Sequence, residues 1–390
     1  MPAFTCLRTY GGEVTSTSLD LTDLHGRLNR ARDESARAGL DALVISPGPD
    51  LSYLTGYDAI ALERLTALVL PTVGEACVIV PTLEAPAAKA SPIGDLGLPI
   101  LTWDETDDPY QLVAKSIGVS RSQRGPVVAV DNHMWAEKVL RLRHAMPEAD
   151  QRLAGVVLNP MRMRKTSSEI ESLRQAGAAI DRVHAQVSEF LRAGRTEREV
   201  GRDIADAIIQ AGHTRVDFVI VASGPNGASP HAEVSDRKID EGEPVVVDIG
   251  GTMPDGYCSD STRNYCIGAP PPEYVAYFDV LQAAQEVAVN HVRPGVTCES
   301  VDEAGRAVLR AAGLGDHFIH RIGHGIGLET HEDPYLVAGN TALLEPGFAF
   351  SVEPGVYFGG RHGARIEDIV VCTETGVDSM NLRPHELVIC

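Results

Sequence analysis

Thiols are scarce in this sequence and fall into no pattern. Its 390 residues hold seven cysteines, at positions 6, 77, 258, 266, 298, 372 and 390, an odd number without a C-x-x-C pair. That disfavours a disulfide framework and a structural zinc site; reduced thiols are expected, with no bridge between Cys258 and Cys266. Long apolar runs are missing too. No stretch reaches the ~18 uninterrupted apolar residues of a membrane span, and the opening "MPAFTCLRTYGG" lacks the basic start and apolar core of a secretory signal. A cytoplasmic protein with no membrane contact is the expectation. Positive charge is short as well: 34 Lys and Arg against 54 Asp and Glu leave a formal net charge of −20, which repels phosphate backbones and argues against a nucleic-acid partner.

What is present reads as globular. Hydrophobic residues make up 44% and charged residues 23%, and the length exceeds the roughly 100–200 residues of one domain, so two domains are expected. The first third alternates β-rich runs, "DALVIS" (41–46), "TALVLP" (66–71), "ACVIV" (76–80), "PILTW" (99–103) and "GPVVAV" (125–130), with helical stretches, which is α/β grammar. Near 158–164 the character changes at "NPMRMRK". Ser168 with Glu171, and Thr196 with Glu199, have capping-box spacing and predict two successive helices. Strands are expected at 216–223, 244–249, 257–267, 347–358 and 364–372, and helices at 272–292 and 298–312. The C-terminal 230 residues therefore read as α+β with a largely antiparallel sheet.

The stretch "VVVDIGGTMPDGYCSDSTR" (245–263) poses a problem in electrostatics. A turn centred near Pro254 pairs Asp248 with Asp260, and period-two alternation puts both on one face. Like charges facing each other across strands are unfavourable, and worse when buried. "SVEPGVYFGGRHGARIEDIVV" (351–371) repeats the arrangement, a turn near Gly360 setting Glu353 opposite Glu367. Any one of these acids could be a solvated turn residue or pair with Arg263 or Arg365; four in two matching hairpins point to cations. Between the hairpins, "HRIGHGIGLETHEDP" (320–334) supplies His320, His324 and His331, and oxygen donors with imidazole suit manganese, cobalt or iron at least as well as zinc. "GHGIG" misses the G-x-G-x-x-G spacing of a dinucleotide loop, and "HEDPY" fails the H-E-x-x-H zinc-protease motif because position 335 is Tyr and Pro334 opposes a helix.

Taken jointly, "FVIVASGPNGASPH", "VVVDIGG", "GYCSDSTR", "HRIGHGIGLETHEDP", "EPGVY" and "RIED", in that order, resemble the Xaa-Pro dipeptidases (prolidases) and aminopeptidases P. These share the pita-bread fold with methionine aminopeptidases and creatinase. Residues 20–150 resemble the N-terminal domain of prolidases, aminopeptidases P and creatinase. The resemblance implies an α/β N-terminal domain, 1–158, and an α+β pita-bread catalytic domain, 159–390. It implies two divalent metal ions (Mn2+, with Co2+, Zn2+ or Fe2+ as alternatives) on Asp248, Asp260, His324, Glu353 and Glu367, with Asp260 and Glu367 bridging. The family's two aspartates usually stand one residue closer, so "GGTMPD" carries an insertion that leaves the register open. By the same resemblance Glu353 doubles as general base, His231 and His331 flank the scissile bond, and His320 and Arg365 support substrate or ligands. Implied substrates are Xaa-Pro dipeptides, or longer peptides if the chain is an aminopeptidase P; a positive group such as Arg361 or His362 would capture a dipeptide's carboxylate. A homodimer is also implied. A metal-free creatinase-like hydrolase and a non-catalytic peptide-binding module are the remaining readings, both opposed by the intact ligand set.

Overall fold

The computed structural model describes residues 21–118 and 125–390; Cys6 and the start of the chain read above for a secretory signal lie outside them. The first sheet has six strands, β1 (Ala42–Ile45), β2 (Ala67–Pro71), β3 (Cys77–Pro81), β4 (Ile100–Trp103), β5 (Val127–Val130) and β6 (Asp150–Leu153). Their order is β4-β3-β2-β1-β5-β6, with β2 antiparallel to both neighbours and the remaining pairs parallel. Alternation sends Leu43 and Ile45 into one apolar cluster with Leu24 and Leu51, and Ala42 and Val44 into another with Val113 and Leu142. Helices thus cover both faces, which is why the strands read as unbroken apolar runs. The polar edge strand β6, "DQRL", gave no such signal. The expected divide at 158–164 falls on helix Gly155–Met163, whose Val157 and Leu158 pack into the first cluster.

The second half builds on β7 (Arg215–Ser223), β8 (Pro244–Thr252), β9 (Cys258–Cys266), β10 (Gly323–Gly325), β11 (Glu332–Leu336), β12 (Ala349–Val352), β13 (Gly355–Phe358), β14 (His362–Arg365), β15 (Asp368–Cys372), β16 (Val377–Ser379) and β17 (Val388–Ile389). They form the sheets β17-β9-β8-β7 and β11-β10-β12-β15-β16 and the ribbon β13-β14. Every pair is antiparallel except β17 with β9. Helices Ser167–His184 and Glu197–Gln210 cover the β17-β9-β8-β7 sheet through Ile180, Val183, Ile204 and Ile208. Helices Pro272–His291 and Cys298–Ala311 cover the other through Phe278, Leu281 and Leu309 against Phe350 and Val370.

One cap differs from expectation. The capping box of the first helix is Thr166 with Glu169, whereas Thr196 with Glu199 caps the second as expected. Both T-x-x-E and S-x-x-E spacings exist in "KTSSEIE"; the earlier wins because Lys165 is still extended, its N–H bonded to Gly347 O at 2.9 Å, so Thr166 is the first residue free to cap. Glu171 instead faces outward beside Arg174. The six described cysteines are free.

Candidate metal centre

Backbone register brings the acids together. In the first hairpin Asp248 pairs with Thr262, and Asp260 with Gly250. The expected pairing of 248 with 260 is therefore off by two, the hairpin being centred one residue later, consistent with the extra residue in its turn. An even slip preserves the face, so both aspartates still point the same way as diagonal neighbours. In the second hairpin Val352 pairs with Asp368 and Gly355 with Arg365, the register that sets Glu353 against Glu367. Between those ladders the chain bonds sideways: Glu353 N–H donates to Ile322 O at 2.7 Å and Glu367 N–H to Thr262 O at 3.3 Å. The first bond ties the second hairpin to the segment entering β10, and the second stitches it onto the first hairpin beside Asp248.

His324 completes the set from β10. It is flanked by Gly323 and Gly325 because a Cβ there would lie 1.9 Å from Ser351 O or 2.1 Å from Asp333 O. Its Nδ1 lies 3.1 Å from Gly325 O, a contact that seats a proton on this nitrogen and turns Nε2 toward the carboxylates. Nε2 stands 3.2 Å from Glu353 Oε1 and 3.7 Å from Asp260 Oδ2. Ligand atoms of Asp248, Asp260 and Glu367 fall within 4.8 Å of one another, as do those of His324, Glu353 and Glu367. Asp260, His324 and Glu367 are at most 3% exposed.

Arg365 reaches this cluster as a protein cation, donating to Asp248 Oδ2, while Asp248 Oδ1 is buried without a partner. Two carboxylates ~4.5 Å apart repel by about 3–4 kcal/mol at an effective dielectric of 20, and one guanidinium cannot offset several such pairs. The strain shows in protonation. Burial pushes Asp260 well above the ordinary carboxylate range, and Glu367, Asp248 and Glu353 push it the same way. Glu367 is raised likewise by burial and by Glu353 and Asp248. Burial also raises Asp248, against the pull of Arg365. Glu353 differs: burial is outweighed by His324, His320 and Arg365, which hold it at about 2. An orphaned buried oxygen among hard donors is what a divalent-cation site leaves when considered without its ions, so the residues fit the two ions expected of them.

The cluster floors a cavity of about 900 Å³ lined also by His231, His320, Arg321, His331 and the apolar side chains of Phe218, Ile220, Ile319 and Val337. The His331 ring lies 4.0 Å from that of His324, and burial, with His324 and Arg321, lowers it to about 4, so it is neutral at working pH. His320 Nδ1 contacts Arg321 O at 2.7 Å and Nε2 contacts the Tyr357 hydroxyl at 2.9 Å; Arg365 Nη1 donates to the same hydroxyl at 2.9 Å. Thus every expected site residue meets at one cavity. Two side expectations fail: Arg361 stacks on Phe358 at the hairpin tip, and His362 is bonded to the Tyr277 hydroxyl at 2.8 Å, neither lining the cavity. Sequence reasoning missed Thr262, whose Oγ1 donates to Glu367 Oε2 at 2.7 Å, and Tyr357. Thr262 was within reach, sharing the face of Asp260 two residues on.

Two hairpins and a glycine-flanked histidine strand, converging four carboxylates and an imidazole on a cavity floor, define a metallohydrolase. Residues 171–374 match the model of Metallopeptidase family M24, and residues 27–164 match that of the Creatinase/Prolidase N-terminal domain. The chain belongs to this metallopeptidase family, with its α/β N-terminal domain and pita-bread catalytic fold. It is similar to the probable dipeptidase PepE of Mycobacterium tuberculosis, 54% identical over 364 residues, 93% of this chain and 96% of the relative. It is also similar to the Xaa-Pro dipeptidase of Lactobacillus helveticus, 34% identical over 90% of this chain and 95% of the relative. The crystal structure of dipeptidase PepE from Mycobacterium ulcerans superimposes with a TM-score of 0.91 at 52% identity, over 95% of this chain and 99% of that one.

Proposed function

We propose that this protein is an Xaa-Pro dipeptidase in which Asp248, Asp260, His324, Glu353 and Glu367 would hold two divalent cations, manganese by preference. The carrying observation is the buried four-carboxylate cluster whose Asp248 Oδ1 has no protein partner. Bound there, the ions supply Lewis-acid polarisation of the scissile carbonyl and a water acidic enough to attack at neutral pH. Glu353, ionised and accepting a hydrogen bond from Ser351 Oγ at 3.1 Å, is the group that takes the proton of the attacking water and passes it to the departing proline nitrogen. Neutral His331 donates to the carbonyl oxygen as charge develops on it, and His231 orients the substrate from the opposite loop. Arg365, held by Tyr357 and through it by His320, fixes the Asp248 carboxylate. A bond preceding proline has no amide N–H, so a peptidase that grips that hydrogen is unsuited to it.

Arg321, over the Tyr335 ring at 4.4 Å, lines the cavity beside Arg365, which is engaged by Asp248, and takes the place assigned to Arg361 or His362 in holding the dipeptide's carboxylate. The dipeptidase reading also draws on the names of the relatives. The second reading, an aminopeptidase P acting on longer peptides, is separated by a substrate panel with manganese. An Xaa-Pro dipeptide is expected to be cleaved at least ~10-fold faster per kcat/KM than the matching Xaa-Pro-Yaa, a loss of about 1.4 kcal/mol when the paired carboxylate is moved away; the reverse order assigns the chain to the aminopeptidases.

Further parts of the reading are a division into units 1–158 and 159–390, a cytoplasmic location and a homodimer. Among the described residues no helix is long and apolar enough to cross a membrane. Light scattering is expected to return twice the 41.8 kDa of the chain, and the chain mass alone would reject the dimer.

A further inference from the structure

His331 is supported unevenly. On one side its ring meets His324; on the other it borders a second cavity, of about 200 Å³, lined by Asp50, His133, Asn159, Arg162 and Glu329. With open space on that side, the ring goes where its own chain segment, 328–335, takes it. That segment is gripped by the helix that spans the divide between the two units and packs on the first apolar cluster. Arg162, on helix Gly155–Met163, donates to Glu332, to Glu329 Oε2 at 2.6 Å and to Asp50 Oδ1 at 2.8 Å. Asn159, one turn earlier on the helix, donates to Asp333 Oδ2 at 2.5 Å, and Lys165 Nζ donates to Glu332 Oε1 at 2.5 Å. The bonded residues bracket His331 on both sides. Gly327 lets the loop close on Glu332, since a Cβ there would lie 2.7 Å from Glu332 Oε1.

The anchor is rigid. Helix Gly155–Met163 starts beside β5, with Ala154 N–H on Val130 O at 2.7 Å and Gly155 N–H on Asn132 Oδ1 at 2.8 Å, and Asp50 opens the short helix Pro49–Thr55 that follows β1. Arg162, Asp50, Glu332 and Lys165 are all buried. Buried ion clusters contribute little net stability against an apolar replacement, so stability is a weak reason for two cations and three carboxylates to converge behind a catalytic histidine. A planar fork that bonds three carboxylates at once is a device for geometry.

We propose that helix Gly155–Met163, which spans the divide between the two units, positions His331 through Arg162, which ties Asp50 to Glu329 and Glu332 on either side of that histidine. The inference rests on the hydrolytic reading of the site. The test measures kcat and KM of the manganese-loaded full chain on an Xaa-Pro dipeptide for Arg162→Gln and Asp50→Asn, each alone and with His331→Ala. Arg162→Gln is expected to lower kcat about 10–100-fold, as an ångström-scale misplacement does, with KM little moved; Asp50→Asn acts in the same direction, less strongly. In the His331→Ala background both changes become nearly silent, because residues acting as a unit are not additive. Hydrogen exchange of amides 328–335 is expected to quicken in both single variants.

A folded Arg162→Gln with wild-type kcat, an equal fall in both backgrounds, or unchanged exchange overturns the proposal. Should Arg162→Gln fail to fold, the isosteric Asp50→Asn carries the same comparison. A wild-type chain with no peptidase activity would sink the hydrolytic reading instead, and the exchange measurement would still decide whether the clamp orders the loop.

Discussion

Asp260→Ala is expected to lower hydrolysis of an Xaa-Pro dipeptide by at least about 10³-fold while leaving the protein folded. The size follows from the role: Lewis-acid stabilisation by the ions is worth several kcal/mol, each ~1.4 kcal/mol is tenfold in rate, and Asp260 is one of the five residues proposed to hold the ions. The intact fold follows from the electrostatics. Burial and three neighbouring carboxylates already oppose the Asp260 charge, so its removal relieves repulsion in the metal-free chain. Arg365 remains paired with Asp248. Circular dichroism and the thermal midpoint of the chelated variant should match or exceed those of chelated wild type. Elemental analysis should show fewer than two metal equivalents. Activity within tenfold of wild type would sink the assignment of Asp260, and a collapsed fold would refute the repulsion argument.

The parts of this site that were legible in the sequence are those governed by strand parity. Asp248 and Asp260 were assigned to one face although the pairing was misjudged by two residues, because an even slip returns every side chain to its side. Glu353 and Glu367 were placed correctly because the "GG" turn fixed the centre of their hairpin. Arg361 and His362 were misjudged for the complementary reason: turn position is legible, but which end of a hairpin faces the cavity depends on how two sheets meet. His362 meets Tyr277, some 85 residues away in sequence, and no local pattern announces that contact.

The fold divides the same way. Continuous apolar strands of the first sheet were plain, whereas β6 was hidden because an edge strand can be polar. The cap at Thr166 turned on a tertiary bond from Lys165 to Gly347. The ion cluster around Arg162 was the least legible feature, its partners lying 112 to 170 positions away in sequence. An arginine and a lysine before a helix read as a change of character, and only the folded chain shows the acids they hold.

Thermal stability should report the ions independently of catalysis. Adding manganese to chelated protein at pH 8 is expected to raise the thermal midpoint of the catalytic half by roughly 10–20 °C, since saturation of both sites to ~100 Kd stabilises by about 2.7 kcal/mol per site and each kcal/mol is worth about 2–4 °C in a domain of this size. The shift should shrink at pH 5.5, because burial and like charge favour protonated Asp260 and Glu367 there. Asp260 and Glu367 have folded pKa values raised above their ordinary ones. In the metal-free chain the folded state therefore holds protons that the unfolded state has released, and stability falls as pH climbs from about 4 through those raised values. Glu353, held at about 2, acts oppositely, but only below its ordinary value of 4.5, outside the measured range. His331, lowered to about 4 from 6.5, destabilises the folded state only below pH 6.5, where it favours the protonated unfolded chain whether or not metal is present. Cations must displace the protons of Asp260 and Glu367 to bind, so their stabilisation grows with pH while the metal-free chain weakens. A manganese-induced shift equal at pH 5.5 and pH 8, or absent at both, would mean that these carboxylates do not gather the ions; a shift that disappears in Asp260→Ala would tie the stabilisation and the chemistry to the same oxygen atoms.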